Sequence, residues 1–390
     1  MIKKTVLYSF ILFLLLILLS PGLVQADGGL KVLQNSAEAD FPFRLHFSLS
    51  AESAVKITDI RLHYTVDRDS FAQVTSEVYL EFVPATTIDV QWTWDMRKTG
   101  ELPPETSVEY WWTVSDIDGN MVETIPARVL FEDERYSWQQ LTEGKVTVYW
   151  YEGKKSFAEE ILATAQQAVA RLTADTGAYL KKPVKIYVYA NPNDLQGAMI
   201  YPQEWTGGVS YSNYGIIAIG IEPGNLDWGK RAVIHELTHL VIHQMTNNPY
   251  NYIPTWLDEG LAMYNEGALE PTFIAYLDQA ITEDILISVR SLSSPFSAYA
   301  DESYLSYAQS FSLIEYLITT YGHEKMFELL DTFRQGSGYD EALEKVYGFD
   351  MDRLNSLWQD YVIPQYQDSV TILSMLSPIP IGVTAINPSS

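Results

Sequence analysis

The chain has 390 residues, enough for two domains with separate cores, and its contents of 47% hydrophobic and 19% charged residues exclude extensive disorder. Asp and Glu outnumber Lys and Arg by 50 to 25, and the net charge of −25 argues against binding to nucleic acid or anionic membrane, since both need a positively charged surface. Cysteine is absent, which excludes disulfides, thiolate metal sites and a cysteine nucleophile.

The first 26 residues are predicted to be an export signal. Lys3 and Lys4 precede an apolar run, Pro21 breaks it, and residues 24–26 have the composition of a cleavage site. The run is shorter than the roughly 20 residues that a membrane span needs. We therefore expect a cleaved signal and a secreted or cell-envelope location, with an uncleaved N-terminal anchor as the alternative.

From residue 27 to residue 135 apolar and polar residues alternate with a period of two, which is typical of half-buried strands. The clearest sets are Leu45, Phe47 and Leu49; Ile60, Leu62, Tyr64 and Val66; and Val108, Tyr110, Trp112 and Val114. Six or seven such strands, separated by turns rich in Gly, Pro and Asp, predict a β-sandwich of immunoglobulin-like type. The turn at 116–120 is expected to be a hairpin, with a calcium loop as the alternative.

The pattern changes after Trp138. Strands are predicted at 145–151 and 184–190, on either side of a helix at 156–174, and two more strand-like runs follow at 207–211 and 215–221. Beyond Asp227 the pattern is helical, and helices are predicted at 228–246, 255–267, 271–283, 304–320, 323–335, 338–347 and 351–362. Strands followed by helices predict an α+β domain over residues 136–365. Residues 366–390 contain three prolines and little charge, so we expect a poorly ordered tail.

His235, Glu236 and His239 form an HExxH motif within a segment of helical periodicity. Residues four apart differ by about 40° around a helix axis, so the two imidazoles project side by side and can ligate one zinc ion. Glu236 lies beside them, where its carboxylate can act as general base on a metal-activated water. The motif therefore predicts a hydrolytic zinc site.

A third ligand is expected from the segment PTWLDEGLA at residues 254–262. It has a proline near a helix start and acidic residues on the next turn. A second helix packed antiparallel to the first would bring Glu259 to the zinc. Asp258 is the rival ligand, one position away and on a different face.

HELTH followed by PTWLDEGLA resembles the gluzincin peptidases, and most closely the peptidase-MA-like metallohydrolases related to aminopeptidase N. The resemblance covers roughly residues 146–361. It implies a zincin-like metallopeptidase domain that holds one Zn²⁺ through His235, His239 and Glu259. Glu259 follows His239 by 20 positions, one more than is usual in the aminopeptidases, and a loop longer by one residue at 247–249 would accommodate the difference.

Residues 304–310 are similar to the family segment that carries the oxyanion-stabilising tyrosine. The resemblance implies this role for Tyr307, with Tyr304 as the alternate, because a phenol O–H aimed at the tetrahedral intermediate supplements the metal. The competing interpretation is that Tyr307 is an aromatic helix residue of the core.

Residues 207–211 resemble the edge strand along which substrate backbone lies in these enzymes. Gly207, Gly208 and Val209 are accordingly predicted to contact substrate, because glycine permits close backbone approach. An ordinary strand with a glycine bulge is the alternative.

Two further side chains continue the faces of the predicted ligands. His243 lies one turn after His239, and we expect it not to bind metal. Glu266 lies seven residues after Glu259 and is a candidate carboxylate partner for a ligating histidine. A solvated surface position is the alternative for Glu266.

The sequence as a whole predicts an exported zinc peptidase that acts on a peptide or protein substrate with Glu236 as general base. It predicts no nucleic-acid partner, and no membrane contact other than an uncleaved anchor; the oligomeric state is left open. The alternatives are a zinc-binding module without proteolytic activity and a zinc hydrolase that acts on a non-peptide ester or amide.

Overall fold

The computed structural model describes residues 29–202, 206–297 and 299–375. They form two compact units: one runs up to Arg135 and includes Ala198–Tyr201, and the other comprises Tyr136–Gly197 and the described residues from Pro202 onward. The predicted export signal at 1–26 lies outside the described residues. In the part of the chain that the structure describes, no helix is long and apolar enough to cross a membrane.

The first unit is built from antiparallel strands in two sheets. Its described elements are β1 (Lys31–Asp40), β2 (Arg44–Glu52), β3 (Ile57–Val66), β4 (Ser76–Tyr79), β5 (Thr87–Asp95), a short helix α1 (Met96–Thr99), β6 (Thr106–Asp116), β7 (Met121–Glu123) and β8 (Ala127–Phe131). One sheet has the order β1-β2-β5, and the other has the order β4-β3-β6-β7 with β8 also paired to β6. Eight strands exceed the predicted six or seven because β1 carries no alternation that could have marked it as a strand.

Aromatic rings fill the space between these two sheets. Phe47 on β2 and Tyr110 on β6 have ring centroids 5.1 Å apart, and Tyr64 on β3 lies 4.6 Å from Trp94 on β5. Trp112 on β6 is fully buried. Large rings of this kind contribute much of the apolar area that holds a small domain together. The prediction of a β-rich region ahead of a helical domain is thus confirmed at this level.

The second unit contains a mixed sheet followed by helices. Its strands are β9 (Gln139–Glu143), β10 (Val146–Trp150), β11 (Val184–Tyr189), β12 (Gly208–Tyr211) and β13 (Ile216–Gly220), in the spatial order β12-β13-β11-β10-β9. The three central strands are parallel and both edge strands are antiparallel to their neighbours. Parallel neighbours require a crossover, which α2 (Lys155–Thr176) and α3 (Pro192–Gln196) supply. The predicted order of strands and helices did not include β9, a mostly exposed and polar strand.

Seven further helices complete the described part of this unit. They are α4 (Leu226–Thr246), α5 (Thr255–Glu266), α6 (Pro271–Thr282), α7 (Ala300–Tyr321), α8 (His323–Arg334), α9 (Tyr339–Tyr347) and α10 (Met351–Met375). Apart from the end of α10, each of these bounds equals the predicted one or differs from it by at most four residues. Short 3₁₀ turns lie at Ser212–Tyr214 and Ser291–Ser293.

The last helix differs from the prediction, which ended it at residue 362 and left 366–390 as a poorly ordered tail. Helix α10 continues through Pro364 to Met375, and the residues after 375 lie outside the described part. Proline removes one backbone hydrogen bond, but its φ value is compatible with a helix. Tyr366, beyond the proline, is partly buried against the core, and this burial favours continuation of the helix.

Close helix contacts position the functional segment. Helix α4 passes close to the sheet at Gly229. A Cβ atom added to Gly229 would clash with the side chain of Ile221, the residue directly after β13. Helix α5 approaches α7 at Gly260, where an added Cβ would lie 2.5 Å from the Ser310 carbonyl oxygen. The Asn265 amide of α5 donates to the Thr238 hydroxyl of α4 at 2.8 Å in the buried interior. These contacts hold α4 and α5 in one relative position.

Candidate zinc site

The structure brings together the three residues that the sequence predicted as ligands. His235 and His239 project from α4 and Glu259 from α5, and one donor atom of each lies within 4.8 Å of the other two. Glu259 Oε2 is 3.3 Å from His235 Nε2 and 3.4 Å from His239 Nε2. The two imidazole rings are edge-on to each other with centroids 4.8 Å apart. Two ring nitrogens and one carboxylate oxygen therefore face a common point.

The Nδ1 atom of each histidine, on the side of the ring away from Glu259, contacts a carboxylate. His235 Nδ1 lies 2.7 Å from Glu266 Oε1, and His239 Nδ1 lies 2.9 Å from Asp258 Oδ1. A carboxylate accepts hydrogen bonds, so each Nδ1 carries the proton and each Nε2 presents its lone pair to the common point. Carboxylates commonly orient metal-binding histidines in this way. The predicted partner role of Glu266 matches its position.

The donor set fits a divalent zinc ion. Glu259 Oε2 is buried and, among the described residues, accepts no hydrogen bond. Burial alone would raise the pKa of Glu259, but the neighbouring imidazoles of His239 and His235 outweigh it and lower the pKa to about 2. A buried, ionised carboxylate oxygen facing two nitrogen lone pairs is satisfied by a cation, and two histidines with one glutamate form a ligand set of catalytic zinc.

Glu236 lies between this set and the edge strand. A Cβ atom added to Gly208 would lie 2.9 Å from Glu236 Oε1, so the strand backbone passes directly beside the carboxylate. Burial raises the pKa of Glu236, the imidazoles of His235 and His239 oppose the increase, and neighbouring carboxylates add to it. A carboxyl group with a raised pKa is suited to exchange protons with a reacting water.

The predicted substrate-contacting segment is an edge strand. Gly208 and Val209 lie in β12, and Gly207 immediately before it accepts a hydrogen bond from the Gly220 amide at 3.0 Å. Within the described residues, β12 pairs only with β13, so its other edge is available to a further strand. Gly207 is also confined, because an added Cβ would lie 2.9 Å from the Trp228 ring.

The structure separates the two candidate tyrosines on α7. Tyr307 is half-buried, its ring centroid lies 6.4 Å from that of His235, and burial together with the nearby Glu259 carboxylate raises the pKa of its hydroxyl. Tyr304 instead packs against Phe273 and Tyr276 of α6, with centroids 5.4 and 5.3 Å away. Of the two, Tyr307 is the one that the structure places beside the predicted ligands.

Asp258 and His243 belong to an arrangement that the sequence did not predict. Asp258 contacts the Nδ1 atom of His239, not the Nε2 side where Glu259 lies, so the structure does not place it as the rival ligand. Its other oxygen is 2.8 Å from His243 Nε2, and His243 Nδ1 is 2.7 Å from Ser212 Oγ. The spacing of four residues between His239 and His243 was the available signal, because it places both rings on one helix face.

A sequence model described as the peptidase MA superfamily matches residues 164–364, which is more than half of the chain. The match begins within α2, ends within α10 and includes every residue of the candidate site. No curated protein sequence matches the chain.

Three solved structures are similar to parts of this chain. An M1 zinc metallopeptidase from Deinococcus radiodurans has 13% identity and a TM-score of 0.34, over 85% of this chain and 94% of that chain. A polysaccharide deacetylase from Bacillus cereus has 12% identity and a TM-score of 0.17, over 43% and 53%. A β-glucuronidase from Parabacteroides merdae has 9% identity and a TM-score of 0.18, over 55% and 32%. These TM-scores are too low to carry a conclusion.

Proposed function

Because the chain belongs to the peptidase MA superfamily, we propose that it is an exported zinc-dependent peptidase that hydrolyses peptide bonds with Glu236 as general base. The observation that carries the proposal is the convergence of His235 Nε2, His239 Nε2 and the unsatisfied Glu259 Oε2 on one point. Three protein ligands leave a tetrahedral zinc site open for water and substrate, as catalytic sites require.

The positions of the protein groups support the following reaction. A zinc ion held by His235, His239 and Glu259 would supply the Lewis acid that lowers the pKa of water and polarises the scissile carbonyl. Glu236 takes the proton of the attacking water and returns it to the leaving amine. The Tyr307 hydroxyl donates to the oxyanion that develops on the carbonyl oxygen. Substrate backbone pairs with the open edge of β12 at Gly208 and Val209.

We propose the finer domain assignment on the same basis. Residues 27–135 form an immunoglobulin-like sandwich, supported by two antiparallel sheets joined by buried aromatic rings. Residues 136–365 form the gluzincin-like catalytic domain. The segment 1–26 directs export and places the enzyme outside the cytoplasmic membrane, supported by its charged start and apolar run.

Two carboxylates of the site provide a matched test, since Glu236→Gln and Glu259→Gln each remove one negative charge. Glu236→Gln should retain zinc but lose at least about 100-fold in turnover, because the proton acceptor is gone and the ligands remain. Glu259→Gln should lose zinc on dialysis, because a direct ligand is weakened. Zinc is measured by elemental analysis, and turnover by mass-spectrometric digestion of a defined peptide mixture.

Wild-type turnover in the Glu236→Gln variant would contradict the proposal. A wild-type chain that holds zinc but leaves every peptide intact would favour a non-proteolytic zinc module, and cleavage confined to ester or non-peptide amide substrates would favour a different hydrolase.

A further inference from the structure

We propose that His243 is a positioning residue that couples the edge strand β12 to the metal ligand His239, through Ser212 on one side and Asp258 on the other. The inference rests on the zinc site of the proposed function and adds a mechanical link between that site and the strand that takes the substrate.

The link consists of three consecutive hydrogen-bond contacts. His239 Nδ1 lies 2.9 Å from Asp258 Oδ1, Asp258 Oδ2 lies 2.8 Å from His243 Nε2, and His243 Nδ1 lies 2.7 Å from Ser212 Oγ. Each contact uses a different atom, so all three exist at once. Ser210 Oγ on β12 lies 3.3 Å from Ser212 Oγ and extends the link into the strand.

The donor and acceptor roles make the link converge on the Asp258 carboxylate, which accepts from both histidines. The Asp258 carboxylate only accepts, so His239 donates through Nδ1–H and His243 donates through Nε2–H. In the tautomer that donates Nε2–H to Asp258, His243 Nδ1 accepts the hydroxyl hydrogen of Ser212. Removal of the Ser212 hydroxyl leaves His243 Nδ1 without this donor, and removal of the His243 ring leaves Asp258 Oδ2 unpaired.

Strand β12 lies along α4 and meets it at both ends. Gly208, the first residue of β12, lies beside Glu236, and Ser212, directly after its last residue, contacts His243. Residues 236 and 243 are seven apart, two turns on one helix face, and are separated by about 10 Å along the axis. The extended residues 208–211 of β12 span about 10 Å along the strand. A displacement of β12 by bound substrate therefore reaches His239 through His243.

A second metal ion is the competing explanation, because His239, His243 and Asp258 also have donor atoms close enough to ligate one. Their mutual distances of 2.9 and 2.8 Å are hydrogen-bond lengths. A second ion would also require the Nδ1 atom of His239, whose proton keeps Nε2 directed at the first ion. The hydrogen bonds to Asp258 already engage His239 Nδ1 and His243 Nε2, so no second metal ion is needed to explain their positions.

The test measures how fast zinc leaves the full-length protein for a chromogenic chelator, which needs no hydrolysis. The variants are His243→Ala, Ser212→Ala and their double variant, with Asn213→Ala as the matched control, since Asn213 is an exposed residue of the same turn. His243 is 36% exposed at its side chain, so its replacement leaves the core intact. Circular dichroism confirms that each variant is folded.

We expect His243→Ala to release zinc about 10-fold faster than the wild type, the effect typical of lost outer contacts to a ligand. Ser212→Ala should release zinc at a rate between those of the wild type and His243→Ala. The double variant should release zinc at the same rate as His243→Ala, and Asn213→Ala at the same rate as the wild type. Such non-additivity is the sign of one connected chain. Ser212→Ala should also raise KM more than it lowers kcat.

Zinc release at the wild-type rate in Ser212→Ala, or additive effects in the double variant, would overturn the coupling. Two zinc ions bound per chain at saturation would overturn it in favour of His243 as a ligand. A wild type that retains zinc but cleaves no peptide contradicts only the proposed function, and the release rates still decide the coupling.

Discussion

At the residue scale, four carboxylates of the candidate zinc site differ in the atoms that they contact. Glu259 faces the Nε2 atoms of both histidines, whereas Glu266 and Asp258 hold the opposite ring nitrogens. Glu236 lies against the strand backbone. The environments differ accordingly: burial raises the pKa of Glu236, whereas neighbouring imidazoles hold the pKa of Asp258 well below its usual range despite burial. Carboxyl groups whose pKa values are shifted in opposite directions are suited to different chemical roles.

The oxyanion role is tested by a matched pair of tyrosine variants on α7. Tyr307→Phe should lower kcat by about 100-fold with little change in KM or zinc content, because the lost donor acts on the transition state. Tyr304→Phe should retain nearly wild-type kcat, because its ring contacts α6 and not the ligands. Steady-state kinetics on one fluorogenic peptide measures both. Equal losses in the two variants would assign Tyr307 to packing only.

At the element scale, a glycine sets the distance between α5 and α7. Gly260 directly follows the proposed ligand Glu259. Helix α5 lies so close to α7 at Gly260 that an added Cβ would be 2.5 Å from the Ser310 carbonyl oxygen. Backbone cannot move aside as a flexible side chain does. The glycine of the DEG sequence is therefore required by helix packing, next to the proposed zinc ligand Glu259.

Gly260→Ala should consequently lower the free energy of unfolding by about 1–3 kcal/mol, although alanine favours a helix over glycine. The matched control is Gly224→Ala, at an exposed turn position where no described atom lies within 4 Å of an added Cβ. Thermal and urea unfolding followed by circular dichroism measure both. A Gly260→Ala protein as stable as the Gly224→Ala protein would show that the helices separate at no cost.

At the scale of the whole molecule, the net charge of −25 acts on every approaching substrate. A field of this sign attracts cationic peptides and slows anionic ones, and salt weakens it because the screening length falls from about 10 Å at 0.1 M to about 3 Å at 1 M. We expect kcat/KM for a lysine-rich peptide to fall with added NaCl. A neutral peptide with the same cleavage site should change little, and identical salt dependence for both would contradict the electrostatic argument.

Much of the fold could be predicted because it is recorded in local patterns. Helix α4 was expected at 228–246 and observed at Leu226–Thr246, since apolar residues recur with the helical period. Strand β9 was missed because its polar residues carry no period, and the parallel pairing of β10 with β11 was not predicted because pairing joins residues far apart in the chain. The extension of α10 beyond Pro364 depended on packing and not on the proline itself.

The sequence by itself determined that His235 and His239, the predicted ligands, project from the same side of α4, because residues four apart on one helix must share a face. It also indicated Glu259, through a resemblance that spans the second helix. Only the tertiary structure decided that Asp258 contacts His239 Nδ1 and that Glu266 contacts His235 Nδ1. The same is true of the contact between Ser212 and His243, which are 31 positions apart in the chain. The physical reason is that hydrogen bonds between different elements form only once packing has fixed their relative positions, and no local period encodes that step.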